Sequence, residues 1–286
     1  MILGSGKYSY QVVKGWGQGP DGRTLGIASG VAVDSQDKVY VLDREPNPAM
    51  VVYDRDGRFL SSWGEDFLSL PHDVFIDSED RIYIADCGDH TVRICTTTGE
   101  ILQTLGTPNE PGGYGEPFNQ PTRAVIAPSG DIYVSDGYGQ HQIHRFSSDG
   151  TLLNTWGKEG ELPGQFTLPH NVFTDREGRV LVADRETNNR IQIFDPDGGF
   201  LSEWPGRLGP CGLYIDADNT VYIAEGGGVS IFNRDGKLLT CWNVLGGPDD
   251  APHGAHGIWV DRHGDIYIGE VGVENLLHKF VRVSGE

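Results

Sequence analysis

Three histidines could converge on one chemical task. His72 sits in Pro71-His72-Asp73, His170 in Pro169-His170-Asn171 and His256 in Ala255-His256-Gly257, 98 and 86 residues apart. Three neutral imidazoles with one side left open form the ligand set of a catalytic zinc, whereas calcium and magnesium favour oxygen ligands. The competing reading is a polar, hydrogen-bonded plug. With nine histidines in 286 residues, three at matching places in similar segments favour the metal. His253 is a spare ligand at most and reads as surface loop. His90, His141, His144, His263 and His278 fall outside the matching position and read as surface or packing residues.

Residues so far apart in sequence meet only if a repeat carries them around an axis. Six copies can be aligned, at 30–64, 71–106, 121–157, 169–205, 210–243 and 256–283. Each runs from a short apolar strand through an acidic or polar turn to a β-rich strand ending in an acid. A third strand, a Gly turn and a strand ending near Trp-Gly follow. The alternating apolar and β-branched residues argue for strands, and Asp-Gly at 56–57, 149–150 and 235–236 marks tight hairpins. Four strands per unit of roughly 40 to 50 residues predict an all-β, six-bladed β-propeller. The sixth copy lacks its last strand, and Tyr10–Gly17 (YQVVKGWG) resembles it, so the N-terminal segment is expected to close the last blade.

Each first strand should line the central channel, and its rim residues are Ser29, His72, Thr122, His170, Cys211 and His256. Histidine therefore occupies alternate blades, about 120° apart in a six-membered ring. A second set of rim positions follows the second strand: Asp43-Arg44, Asp86-Cys87, Asp136-Gly137-Tyr138, Asp184-Arg185, Glu225-Gly226 and Glu270-Val271. An acid occurs in every copy, so it reads as structural, tying neighbouring backbone together. The variable residues are the informative ones. Arg44, Tyr138 and Arg185 are placed to overhang the histidines. A guanidinium suits a substrate carboxylate, with a salt bridge to a neighbouring acid as the plain alternative. A phenol beside zinc and arginine is expected to have a lowered pKa and to serve as a base.

Composition narrows the partners. Lys and Arg number 22 against 41 Asp and Glu, for a net charge of −19, which disfavours nucleic acid and anionic membrane surfaces. No apolar stretch is long enough to span a bilayer. The expected partner is a small-molecule or peptide substrate bearing a carboxylate, and the expected state a monomer with one domain over 1–286. The start, MILGSGKYSY, shows no basic region leading into a hydrophobic run. With no metal-type cysteine spacing, a free-thiol cytoplasmic protein is expected, although a clipped secreted chain would read the same.

The repeats resemble NHL repeats, and the candidate site resembles that of peptidyl-α-hydroxyglycine α-amidating lyase. The matching segments are PHDVFID around His72, SDGYGQHQI around Tyr138, GQFTLPHNV around His170, ADRETNNRIQIF around Arg185 and HGIWVDRHGDIYIGE around His256. The resemblance implies that the three histidines hold zinc while Tyr138, Arg44 and Arg185 surround the substrate. It also implies cleavage of a carbinolamide N–C bond, releasing an amide and glyoxylate without redox chemistry. Either Tyr138 or Arg44 would take the hydroxyl proton, and Arg185 would hold the carboxylate.

The sequence departs from that family at Gly139, where a cysteine follows the catalytic tyrosine, at Gly254 in place of a methionine, and at Gly257 in place of an acid of the calcium site. Zinc therefore carries over better than calcium, and peptide specificity less well than either. Two rival classes are a metal-dependent hydrolase such as a lactonase, and a non-enzymatic NHL interaction module, since propellers host many functions.

Overall fold

The computed structural model describes residues 2–17, 25–243, 254–271 and 277–283, and the candidate ligand His253 lies outside them. Among the described residues there are twenty-five strands and no helix, in six antiparallel sheets. Blade one is Ala28–Val33, Val39–Asp43, Ala49–Tyr53 and Phe59–Trp63; blade two is Pro71–Ile76, Ile82–Asp86, Thr91–Cys95 and Ile101–Leu105. Blade three is Arg123–Ile126, Ile132–Asp136, Gln142–Phe146 and Leu152–Trp156; blade four is Pro169–Thr174, Val180–Asp184, Arg190–Phe194 and Phe200–Pro205. Blade five is Pro210–Ile215, Val221–Glu225, Gly228–Phe232 and Leu238–Asn243. Blade six holds Ala255–Val260, Ile266–Glu270 and Leu277–Val283. Each first strand packs beside the next one, and that of blade six packs beside that of blade one. The fold is a six-bladed β-propeller.

Burial falls from the axis outward. The first strands of blades one, two, four and six are buried at every residue, whereas fourth strands such as Phe59–Trp63 and Leu152–Trp156 are largely exposed. Inner strands are covered on both faces, so they read as continuous apolar runs instead of alternating. The turns between first and second strands repeat as well. Asp34, Asp77, Asp175, Asp216 and Asp261 each accept N–H bonds from residues two and four positions on. The residue three positions on is left-handed in each, a conformation that favours Gly, Asn or Asp: Asp37, Asp80, Gly178, Asn219 and Gly264.

The last blade is closed by the N-terminal segment, at a register differing from the expected one. The pairing strand is Tyr8–Val13, with Tyr10 opposite Arg282, and not Tyr10–Gly17. Trp16-Gly17 is not the counterpart of the Trp-Gly strand ends in the other blades. Trp16 lies beyond the strand end and folds inward, its ring 5.7 Å from Tyr53 and 5.2 Å from Tyr267, and its indole N–H donates to Arg55 O at 3.0 Å. A fifth strand, Ile2–Ser5, then covers the outer edge of that blade and reaches blade five through Ser5 and Thr240.

Candidate metal centre

The channel rim is joined by hydrogen bonds that pass from blade to blade. His72 Nδ1 lies 2.6 Å from Thr122 O, His170 Nδ1 2.8 Å from Cys211 O and His256 Nδ1 2.6 Å from Ser29 O. Between them, Ser29 Oγ donates to Pro71 O at 3.0 Å and Thr122 Oγ1 contacts Pro169 O at 3.3 Å. A carbonyl only accepts, so each imidazole must carry its proton on Nδ1. That leaves Nε2 as a lone pair aimed at the axis, which is how the outer bond of a ligating histidine orients its ring.

The three ring centroids are 4.7, 4.7 and 4.8 Å apart, and the candidate ligand atoms lie within 4.8 Å of one another. Tetrahedral zinc with bonds near 2.0 Å would space them at about 3.3 Å, a modest inward tilt. Burial holds His72 and His170 well below the ordinary imidazole range and brings His256 to about 3, so all three are neutral donors. His256 Nε2 is buried and meets no hydrogen-bond partner among the described residues. An orphaned lone pair in a cluster of three imidazole donors fits a borderline-soft divalent metal such as zinc and not an oxygen-seeking cation.

Tyr138 and Arg185 reach this cluster from the rim. Tyr138 Oη is 3.0 Å from His72 Nε2 and 3.3 Å from His170 Nε2. Arg185 Nη1 is 3.3 Å from His170 Nε2 and 3.4 Å from Cys211 Sγ, while Nη2 pairs with Glu186 at 3.1 Å. Arg185 thus serves both readings, facing the histidines and bridging its neighbouring acid. Arg44 lies close enough for its charge to push His72 down. Its Nε is buried without a partner among the described residues. The expected lowering of the Tyr138 pKa belongs to a phenol beside both zinc and arginine, and the protein groups alone supply only the arginine part. Burial pushes the phenol above its ordinary value, and Arg185 and Arg44 offset only part of that.

The acids after the second strands are structural, as expected. Asp86 accepts from the backbone of Ser69, Leu70 and Gly88, Asp184 from Thr167 and Leu168, and Glu225 from Arg207 and Leu208. Each ties down the loop leading into its own blade. The other described histidines stay outside the cluster; His144 is buried against Asp136 and Thr155, and His278 lies by Glu270. All four cysteines are unpaired. The rim carbonyls of Ser29, Thr122 and Cys211, which fix the tautomers, were not legible in the sequence, because any residue type supplies a carbonyl. The thiol of Cys211 beside Arg185 was missed too.

The NHL repeat model matches residues 68–95 and 118–146, the entry loop and first three strands of blades two and three. NHL repeat-containing protein 3 of Homo sapiens is 36% identical over 97% of this chain and 86% of its own length. The chain belongs to the NHL repeat-containing protein 3 family. A probable peptidyl-α-hydroxyglycine α-amidating lyase of Caenorhabditis elegans is 31% identical over 59% of the chain and 48% of its own length, so this family is distantly related to amidating lyases. Among solved structures, a streptogramin B lyase superposes with a TM-score of 0.66 at 15% identity, covering 99% of this chain and 90% of that one. That likeness shows the propeller fold alone.

Proposed function

We propose that this member of the NHL repeat-containing protein 3 family is a metal-dependent carbon–nitrogen lyase. Its substrate would be an α-hydroxylated amide bearing a carboxylate, of the peptidyl-α-hydroxyglycine type, and its products an amide and glyoxylate. One observation carries the reading: three lone-pair Nε2 atoms meet on the axis with the Tyr138 hydroxyl within 3.3 Å of two of them. Bound by His72, His170 and His256, zinc would act as a Lewis acid on the substrate hydroxyl and add positive charge beside the Tyr138 phenol.

Tyr138 is the group placed to move the proton. The reaction needs the hydroxyl proton removed and a proton delivered to the departing amide nitrogen, so one group at the rim can take it and return it, with no water consumed. Arg185 and Arg44 both bias Tyr138 toward the ionised form a base requires. Arg185 also presents a planar fork at the rim, suited to hold a carboxylate while the N–C bond breaks. Arg44, with its buried Nε unpaired among the described residues, is the second cation for that carboxylate.

The test is a product assay on zinc-loaded protein with a hydroxyglycine-extended peptide. Stoichiometric glyoxylate and free amide support the lyase. Release of an acid with uptake of solvent oxygen, from this or a lactone substrate, would make the chain a hydrolase instead.

A further inference from the structure

Directly below the histidines, the next residue in each first strand forms a second layer: Gly30, Asp73, Arg123, Asn171, Gly212 and Gly257. The two halves of this layer differ. In blades five, six and one, the strands meet backbone to backbone. A Cβ on Gly212 would lie 2.2 Å from His256 O, and one on Gly257 would lie 2.7 Å from the Gly30 Cα. In blades two, three and four, side chains span the gap. Arg123 Nη1 pairs with Asp73 Oδ1 at 2.7 Å and donates to Val74 O at 2.6 Å, and Asn171 Nδ2 donates to Asp73 Oδ2 at 2.8 Å.

This cluster is an expensive way to fill space. Asp73, Arg123 and Asn171 are each about 1% exposed. Arg123 Nε and Nη2 and Asn171 Oδ1 have no hydrogen-bond partner among the described residues, although the guanidinium lies over the Phe75 ring at 5.7 Å. Apolar side chains of similar volume would avoid both the desolvation of two charges and the loss of those bonds. What apolar filling would not supply is a fixed distance between three strands. Asp73 adjoins His72, Asn171 adjoins His170, and Arg123 follows Thr122, whose carbonyl orients His72.

We infer that Asp73, Arg123 and Asn171 form a latch that sets the spacing of His72 and His170, and through it the affinity of the chain for its metal. These are positioning residues and touch no substrate. The inference rests on the metal reading of the histidines.

The experiment measures zinc affinity of the full chain by competition with a chromogenic chelator. The double variant Asp73→Val/Arg123→Met removes both charges together, so no lone buried ion is left. It also leaves the Asn171 amide without its acceptor, so relief of two buried charges and that loss should roughly cancel in the melting temperature, while zinc binds roughly 10- to 100-fold more weakly. Arg123→Lys, which keeps the charge but not the fork, should fall between it and wild type. Asn171→Ala leaves the ion pair whole and should lose a smaller factor, on the order of threefold, less than a full outer-shell deletion. A merely structural role would move the melting temperature and leave affinity below that temperature unchanged. Wild-type affinity in the folded double variant, or in Asn171→Ala should the double variant not fold, overturns the latch. A wild-type chain that binds no zinc overturns the metal reading itself, and the wild-type arm alone reveals it.

Discussion

His256 Nδ1 and Ser29 O lie 2.6 Å apart, joining blade six to blade one across 227 residues of chain. The bond that turns the His256 lone pair toward the axis is therefore also a bond across the ring closure. Anything that loosens blade six against blade one is expected to disturb the metal centre as well as the fold.

Removing residues 2–13 tests that coupling. The deletion takes away the strand paired with Leu277–Val283 and with it Tyr8 and Tyr10, both buried. Loss of a buried aromatic side chain costs about 3–5 kcal/mol, so the melting temperature should drop by roughly 10 °C or more. Zinc affinity should fall in parallel. An unchanged melting temperature would show that blade six does not depend on the N-terminal strand.

The purified protein is expected to carry about one zinc per chain, removable by chelator and restored on adding zinc back. His72→Ala, His170→Ala and His256→Ala should each abolish stoichiometric binding, measured by elemental analysis after gel filtration. Zinc retained at full occupancy by His72→Ala/His170→Ala would place the metal elsewhere on the chain.

The histidine centre was legible because a repeat converts spacing into geometry. Once Ser29, His72, Thr122, His170, Cys211 and His256 were aligned, alternate blades had to bring three rings to one axis. The part that Ser29, Thr122 and Cys211 play in orienting the histidines was not legible, since it is carried by their carbonyls, which leave no trace in residue type. The strand register of Tyr8–Val13 was missed because Trp16 mimics the Trp-Gly strand ends of the other blades and instead packs against Tyr53 and Tyr267. Arg123 gave no signal either. A lone arginine in a strand reads as surface until its partner, 50 residues earlier, is seen beside it.

Arg185→Lys tests how the carboxylate is held. Lysine keeps the charge but loses the planar fork, so two-pronged recognition is lost. KM for carboxylate-bearing substrates should rise roughly tenfold, the effect of about 1.4 kcal/mol of lost binding, with kcat changed less. Substrates lacking the carboxylate should respond little. An equal rise for both substrate types would mean that Arg185 supports the histidines and not the substrate.

Tyr138→Phe separates chemistry from architecture. The ring of Tyr138 packs edge-on against His72 and His170, with centroids 5.0 and 5.7 Å away, and phenylalanine retains that packing. Only the hydroxyl, 3.0 Å from His72 Nε2, is lost. Fold and zinc content should survive, while kcat falls by about 10²- to 10⁴-fold, the usual contribution of a positioned acid or base. KM should change little, because the proton transfer is felt in the transition state and not in ground-state binding. Turnover near that of wild type, on a substrate confirmed by glyoxylate release, would remove Tyr138 from proton transfer. Arg44 would then be the remaining rim residue to test as the base.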